Sequence, residues 1–137
     1  MAYIDSNIFI YPVIYKSETE EKARKAKEIL LMIEHGEIPA YTSSLTWDEV
    51  VWVVSRTLGK EDGIQQGRKL LGFPNLEFIE VDKNVLSMAQ ILLDRYDRLN
   101  PRDSIHIASA LSKKIKQIIS DDKDFDIVKE IKRTPLL

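Results

Sequence analysis

Four carboxylates stand out in this sequence because of the segments around them. Asp5 directly follows a short apolar run near the N-terminus, and Asp122 follows another near the C-terminus. Glu49 and Asp103 each lie in the first turns of a segment with helical periodicity. Acids held close together raise one another's pKa and need a cation, and hard carboxylate oxygens favour Mg²⁺ or Mn²⁺. Acids around such a cation are suited to phosphodiester hydrolysis.

Each of these acids also has a purely structural explanation. Asp5 could be only a turn or cap residue, and Glu49 could close a capping box with Thr46. Asp103 at the start of a helix would gain from the helix dipole without any role in catalysis. The acids near the C-terminus could form a solvated turn: Asp121, Asp122 and Asp124. The functional interpretation therefore depends on whether the four acids meet in space.

The first half of the chain alternates between short apolar runs and helical periodicity. Residues 2–4 are predicted to form a buried strand that enters a helix. Ala23 to Ile33 recur at helical spacing, and Ser17 with Glu20 has the spacing of a capping box before that helix. The next segments are a predicted strand at residues 38–42 and predicted helices at about 45–58 and 61–71.

The second half continues the alternation after the turn residues 72–75. A strand is predicted at 76–81, and Asp82 can cap the helix that follows it. Asn100 is a suitable cap for a further helix that has Pro101 at its first position. A last buried strand is predicted at 117–120, whereas the tail after it shows no clear pattern.

Strands that alternate with helices indicate a parallel sheet with right-handed crossovers and helices on both faces. We therefore expect an α/β fold, a three-layer α/β/α sandwich with a central parallel sheet of about four to five strands, formed by residues 1–137 as a single domain. In such sheets ligands bind beyond the carboxyl ends of the strands. The four acids could share one cleft there.

Composition limits the classes of function. The apolar fraction of 44% and the charged fraction of 31% are typical of a water-soluble globule. No apolar run approaches the ~20 residues that cross a bilayer, and the N-terminus has no signal-peptide pattern, so a cytoplasmic protein without membrane association is expected. There is no cysteine, which excludes thiolate metal sites. The net charge of -2 disfavours nucleic-acid binding unless bound cations neutralise the clustered acids.

Several other residues could assist at such a site. His106, three residues after Asp103, is more simply explained as a packed histidine with a satisfied hydrogen bond. Trp47 and Trp52 could stack on bases, but the core or a dimer surface is the simpler assignment. The cluster from Lys22 to Lys27 fits a solvated helix face. The best candidates to guide a phosphate backbone are the arginines near Asp103: Arg95, Arg98 and Arg102.

The order of four motifs resembles the PIN domain family. The motifs are Asp5-Ser6-Asn7, Thr46 to Glu49, Arg102 to Ala108 and Ser120 to Phe125. The resemblance implies a metal-dependent endoribonuclease with Asp5 and Asp103 as the principal ligands of Mg²⁺ or Mn²⁺. It also implies that Glu49 and Asp122 complete the site, directly or through water.

The C-terminal motif resembles the family's pattern of a hydroxyl residue followed by spaced acids. That register selects Asp122 as the site acid, with Asp124 secondary and Asp121 at a variable position. Ser120 matches the hydroxyl residue, and it would support the site together with Asn7.

A compact PIN protein of this kind is similar to the VapC toxins of type II toxin–antitoxin pairs. That similarity implies a small antitoxin partner, a homodimer and an RNA substrate. Two alternatives stay open: a housekeeping RNA-processing nuclease, and a non-catalytic module that binds RNA or protein. A phosphatase of the haloacid dehalogenase type is disfavoured, because it would need an acid where Asn7 stands.

Overall fold

Five short strands form one parallel sheet in this computed structural model, which describes residues 1–137. The strands are β1 (Ala2–Ile4), β2 (Ala40–Ser43), β3 (Leu76–Ile79), β4 (Gln117–Ile119) and β5 (Lys132–Thr134). Their order across the sheet is β3-β2-β1-β4-β5, and every neighbouring pair is parallel. Because Ile4 pairs with Ile119, the residues that follow β1 and β4 emerge side by side.

Six α-helices connect the strands. They are α1 (Ser6–Ile14), α2 (Glu21–Glu34), α3 (Ser44–Leu58), α4 (Lys60–Leu71), α5 (Lys83–Arg95) and α6 (Pro101–Ser112). A short 3₁₀ helix, Lys123–Ile127, precedes β5. None of these helices combines the length and the apolar character that crossing a membrane requires.

The sheet separates two hydrophobic cores, because successive side chains of a strand point to opposite faces. One core packs α5 and α6 against the sheet and includes Tyr3, Leu92, Ile107 and Ile118. The other packs α1, α2 and α3 against the opposite face and includes Ile4, Ile8, Val50 and Ile119. The predicted three-layer α/β/α sandwich with a parallel sheet is therefore confirmed.

Two of the predicted helix caps are present in the structure, and one predicted capping box is absent. The Asp82 side chain accepts from the Val85 backbone N–H at 2.9 Å, and Asn100 caps α6 in the same way. The capping box predicted for Ser17 and Glu20 is wrong. The chain turns at residues 17–19, so α2 begins only at Glu21 and no side chain caps it.

Other boundaries shift by a few residues. The strand predicted to reach Val81 ends at Ile79, and β2 begins at Ala40 rather than at residue 38. The tail, which showed no pattern in sequence, adds β5 to the edge of the sheet beside β4. A strand as short as Lys132–Thr134 is too brief for periodicity to reveal, so only its pairing with β4 defines it.

α3 and α4 form a tight antiparallel hairpin. Two glycines of α4 lie at the contact with α3, where a side chain would not fit. A Cβ atom added at Gly63 would lie 2.9 Å from the Val51 carbonyl oxygen and 1.9 Å from the Ser55 hydroxyl. At Gly67 it would lie 2.6 Å from a Val51 methyl group. α4 therefore stays pressed against α3, the helix that carries Glu49.

Gly63→Ala should destabilise the protein by about 1–3 kcal/mol, because the new methyl group overpacks a backbone contact that cannot yield. This loss should outweigh alanine's intrinsic helix advantage of about 1 kcal/mol. Gly72→Ala is the matched control, since its Cβ would meet nothing closer than 3.8 Å. Urea unfolding measures both variants, and equal stabilities for the two would contradict the packing argument.

Candidate active site

Asp5 leaves the carboxyl end of β1, and its carboxylate accepts hydrogen bonds from Ser6, Asn7 and Ser120. Its Oδ1 accepts from the Ser6 backbone N–H at 2.8 Å, which caps α1. Its Oδ2 accepts from the Ser120 hydroxyl at 2.5 Å and from the Asn7 amide at 3.3 Å. Only 5% of Asp5 is exposed. The carboxylate is therefore fixed in one orientation at the sheet edge.

Ser120 connects Asp5 to the loop that follows β4. While its hydroxyl donates to Asp5, its oxygen accepts from the Asp122 backbone N–H at 2.9 Å. The Asp122 carboxylate in turn accepts from the Asp124 backbone N–H at 2.9 Å. One buried hydroxyl thus determines where this loop presents Asp122.

Asp103 lies in the first turn of α6 and is 8% exposed. Asn100 forms two hydrogen bonds with it: the Asn100 side-chain amide donates to Oδ2 at 2.7 Å, and the Asp103 backbone N–H donates to Asn100 Oδ1 at 2.9 Å. Carboxylate oxygens of Asp103, Asp122 and Asp124 lie within 4.8 Å of one another. The acids of α6 and of the loop after β4 therefore meet.

Glu49, in the second turn of α3, is paired with His106. His106 Nε2 lies 2.6 Å from Glu49 Oε1 and 3.7 Å from Asp5 Oδ1. Glu49 therefore does not close a capping box with Thr46, whose hydroxyl is bonded to Thr42 instead. Asp5, Glu49 and His106 form a second close group of ligand atoms beside the first.

Two of the acids, Glu49 and Asp103, line a cleft of about 520 Å³ together with Asn100, Pro101 and Arg102. Among the three arginines predicted to guide a backbone, Arg102 alone lines this cleft. Arg95 is held by Glu130 at 2.7 Å, and Arg98 is exposed elsewhere.

The model of the PIN domain family matches residues 2–131, almost the whole chain. The chain belongs to the PIN domain family. The resemblance inferred from the four motifs is thereby confirmed. A search of curated proteins found no match.

Solved structures show the same fold. VapBC2 from Rickettsia felis aligns with a TM-score of 0.74 at 15% identity, covering 98% of each chain. VapC20 from Mycobacterium tuberculosis, a sarcin-ricin loop cleaving toxin, aligns with a TM-score of 0.73 at 15% identity, covering 93% of this chain and 94% of that one. A toxin–antitoxin complex from Klebsiella pneumoniae aligns with a TM-score of 0.68 at 21% identity and 96% coverage of both chains.

His106 and Glu49 form an ion pair in this PIN domain. Burial lowers the pKa of His106, but Tyr3, Glu49 and Asp5 outweigh that effect and raise it well above its usual value. Burial raises the pKa of Glu49, yet the hydrogen bond and charge of His106 bring the net pKa below its usual value. Both ring nitrogens of a protonated histidine donate, which matches the Tyr3 oxygen at 2.6 Å from Nδ1.

The pKa values of Asp5 and Asp103 are raised, in contrast to that of Glu49. Burial, opposed by His106 and Ser120, raises the pKa of Asp5. Burial and the charges of Asp122 and Asp5 raise the pKa of Asp103 to about 7. The charge of His106 opposes the rise in the Asp103 pKa only in part, and no lysine or arginine lies within ion-pair distance of Asp103 or Asp122.

This donor set fits a hard divalent cation. Oxygen ligands from several carboxylates, with neutral hydroxyl and amide groups around them, are what Mg²⁺ and Mn²⁺ prefer. A cation would also favour the ionised form of Asp5 and Asp103, which burial disfavours. The residues present thus suit the metal that the family resemblance implies.

Sequence reasoning underestimated His106 and missed Tyr3. His106 is buried with satisfied hydrogen bonds, as expected, but one of its partners is Glu49. Tyr3 donates to Ser43 at 2.7 Å and contacts His106 from inside the core. The spacing of His106 one turn after Asp103 was the available signal for its position at this edge.

Two further assignments are resolved by the structure. Trp47 and Trp52 are 39% and 53% exposed, so neither belongs to the core. Lys22, predicted on a solvated helix face, forms an ion pair with Asp121 at 3.0 Å. Asp121 is therefore turned toward α2 and is neutralised there.

Asp103→Asn should stabilise the metal-free protein at pH 8 by about 1–2 kcal/mol. The pKa of Asp103 is about 7 in the folded state against 3.8 as its ordinary value, so the folded state holds this proton more tightly. The carboxyl consequently destabilises the fold progressively as the pH rises from about 4 to 7. The variant should lose its advantage at pH 4.

Thermal unfolding in chelator at pH 4 and pH 8 measures this effect. Asp94→Asn, an exposed acid on α5, is the control and should leave the pH dependence unchanged. A stability difference between Asp103→Asn and the parent that does not vary with pH would contradict the assigned charge repulsion.

Proposed function

We propose that this protein is a Mg²⁺- or Mn²⁺-dependent endoribonuclease that hydrolyses RNA phosphodiester bonds, and that it is the toxin of a type II toxin–antitoxin pair. The observation that carries the proposal is the meeting of mutually repelling, largely buried or half-buried acids at the carboxyl edge of the sheet, with no lysine or arginine within ion-pair distance of Asp103 or Asp122. Membership of the PIN domain family supports a nuclease.

In this proposal Asp5 and Asp103 are the principal metal ligands, and Glu49 and Asp122 bind directly or through water. The bound cation would activate water as the nucleophile and stabilise charge on the phosphate. Ser120 and Asn7 position Asp5 through the hydrogen bonds described above, and Asp124 is a secondary acid at the solvent side.

Glu49 is suited to orient water because it is ionised and held. His106 fixes Glu49 Oε1 at 2.6 Å, and the lowered pKa keeps the carboxylate able to accept a hydrogen bond at neutral pH. Arg102 lies at the mouth of the same cleft, where its charge would attract a phosphate backbone. We assign Arg95 and Arg98 a smaller part in guiding RNA, because neither lines the cleft.

The toxin assignment has support from the structures with the same fold. Several are toxin–antitoxin complexes, and VapC20 is described as cleaving the sarcin-ricin loop. We extend to this chain a small antitoxin partner, a homodimer and a cytoplasmic location. We also propose that residues 1–137 act as one domain, since both cores pack on a single sheet. A housekeeping RNA-processing nuclease is the alternative with the same chemistry.

Asp5→Asn and Asp103→Asn should each reduce RNA cleavage in Mg²⁺ or Mn²⁺ by at least about 100-fold while the protein stays folded, because each removes a charged ligand. Cleavage of labelled RNA by purified protein measures this loss, and chelator should abolish the parent activity. The exposed Asp94→Asn serves as the control.

Cleavage that persists at the parent rate in Asp5→Asn or Asp103→Asn would refute the assigned roles. Absence of metal-dependent cleavage in the parent would favour a non-catalytic binding module instead. A metal titration separates these cases: saturating Mg²⁺ at 100 times its dissociation constant should stabilise the parent by about 2.7 kcal/mol, and Asp103→Asn much less.

Induced expression in bacteria should arrest growth if the protein is a toxin. Asp103→Asn should relieve the arrest at equal protein level, because it removes cleavage without removing the fold. Growth and total RNA integrity are the measurements. A parent protein that cleaves RNA in vitro yet leaves growth unaffected would favour the housekeeping nuclease.

A further inference from the structure

A small recess adjoins the acidic cleft on the side of α3. Its volume is about 130 Å³, and Trp52, Val53 and Ile10 supply its apolar walls. Glu49 and Arg102 line both this recess and the larger cleft, so the two spaces meet at those residues. A chain that lies in the cleft beside Glu49 and Arg102 would therefore be adjacent to the recess.

Trp52 is exposed in a way that packing does not explain. The residue is 53% exposed, whereas the Trp47 ring faces α4 at Gly67. Trp52 follows Glu49 by three residues on the same helix, which places both on one face. The Arg56 guanidinium lies 4.6 Å from the Trp52 ring centroid, a cation–π contact that helps to hold the ring in place.

The recess has the size and chemistry for one flat ring system. Its volume corresponds to about four water molecules at liquid density, which is too little for a peptide segment. An aromatic wall accepts the face of any base, and such stacking is the usual way that proteins bind unpaired nucleotides. Arg102 at the opening supplies positive charge for the adjoining phosphate.

We propose that this recess binds the unpaired base of a nucleotide next to the scissile phosphate, stacked on Trp52. The inference rests on the proposed ribonuclease function and adds to it a binding site for one base, with Trp52 as the residue that holds that base. A base inside a duplex is already stacked on its neighbours and cannot enter the recess. Trp52 is thus a positioning residue, which selects unpaired RNA without touching the reacting atoms.

The chain has two tryptophans, so Trp47→Phe leaves Trp52 as the only tryptophan fluorophore. This variant is titrated in Ca²⁺ with short homo-oligomers of each of the four ribonucleotides, and with an abasic ribose-phosphate oligomer of equal length. Base-containing RNA should change the Trp52 emission saturably, whereas the abasic oligomer should not. The matched variant Trp52→Phe, in which Trp47 is the only reporter, should show no change with either ligand.

Kinetics test the same residue independently. Trp52→Leu should raise KM for single-stranded RNA about 5- to 150-fold, which corresponds to the loss of one stacked base. Trp52→Phe should retain most of the affinity, and kcat should change less than KM. Trp47→Leu, the same substitution on the face toward α4, should leave KM unchanged once thermal unfolding shows that it is folded.

Equal emission changes with abasic and base-containing oligomers, or RNA binding that leaves Trp52 emission unaltered, would overturn the inference. The second result would leave the recess to a side chain of a protein partner. A KM in Trp52→Leu equal to that of the parent would overturn it as well.

Two outcomes separate the stacking site from the proposed nuclease function. Metal-dependent cleavage without a base-dependent change in Trp52 emission would support the nuclease and reject the stacking site. A base-dependent change in Trp52 emission without cleavage in any metal would support the base site and reject the nuclease.

Discussion

Negative charge buried at the exit of the central strands is the constraint around which this fold is arranged. β1 and β4 pair so that Asp5 and Ser120 emerge together, and the Ser120 hydroxyl binds the Asp5 carboxylate at 2.5 Å. Every other contribution to the site addresses the same difficulty. His106 neutralises part of the charge, Asn100 donates to Asp103, and a cation of the kind we propose would relieve the remaining repulsion.

The site consequently has two halves with different electrostatic character. One contains Asp5, Glu49 and His106, and the other contains Asp103, Asp122 and Asp124. Glu49 is compensated internally by His106, and its pKa is lowered. Asp103 forms no ion pair, and its pKa is raised although the charge of His106 opposes the rise. In the proposed metal-dependent nuclease, the first half would be organised without metal, whereas the charge repulsion in the second half would be relieved only by a bound cation. The proposed metal affinity would therefore depend chiefly on the acids of α6 and of the loop after β4.

The fold class and much of the acid cluster could be predicted from the sequence, because strand ends locate acids at one edge. That rule places Asp5 and Asp122 correctly, since each follows a strand. It does not place Asp103, because α6 follows α5 rather than a strand; Asp103 was indicated instead by its position in the first turn of a predicted helix and by the family motif. The contact between His106 and Glu49 joins residues 57 positions apart, and no local pattern encodes such a distance. β5 was not predicted for a related reason, since only its pairing with β4 identifies it as a strand.

One further feature affects how substitutions would be interpreted. The Tyr3 hydroxyl, which has no exposed surface, lies in a hydrogen-bonded chain from Ser43 through His106 to Glu49. Orientation of a cleft residue is thereby set from within the core that α5 and α6 share. Inactivating changes would be expected to map along this chain into the protein interior, so loss of activity at Tyr3 would report a remote support and not a residue that meets RNA.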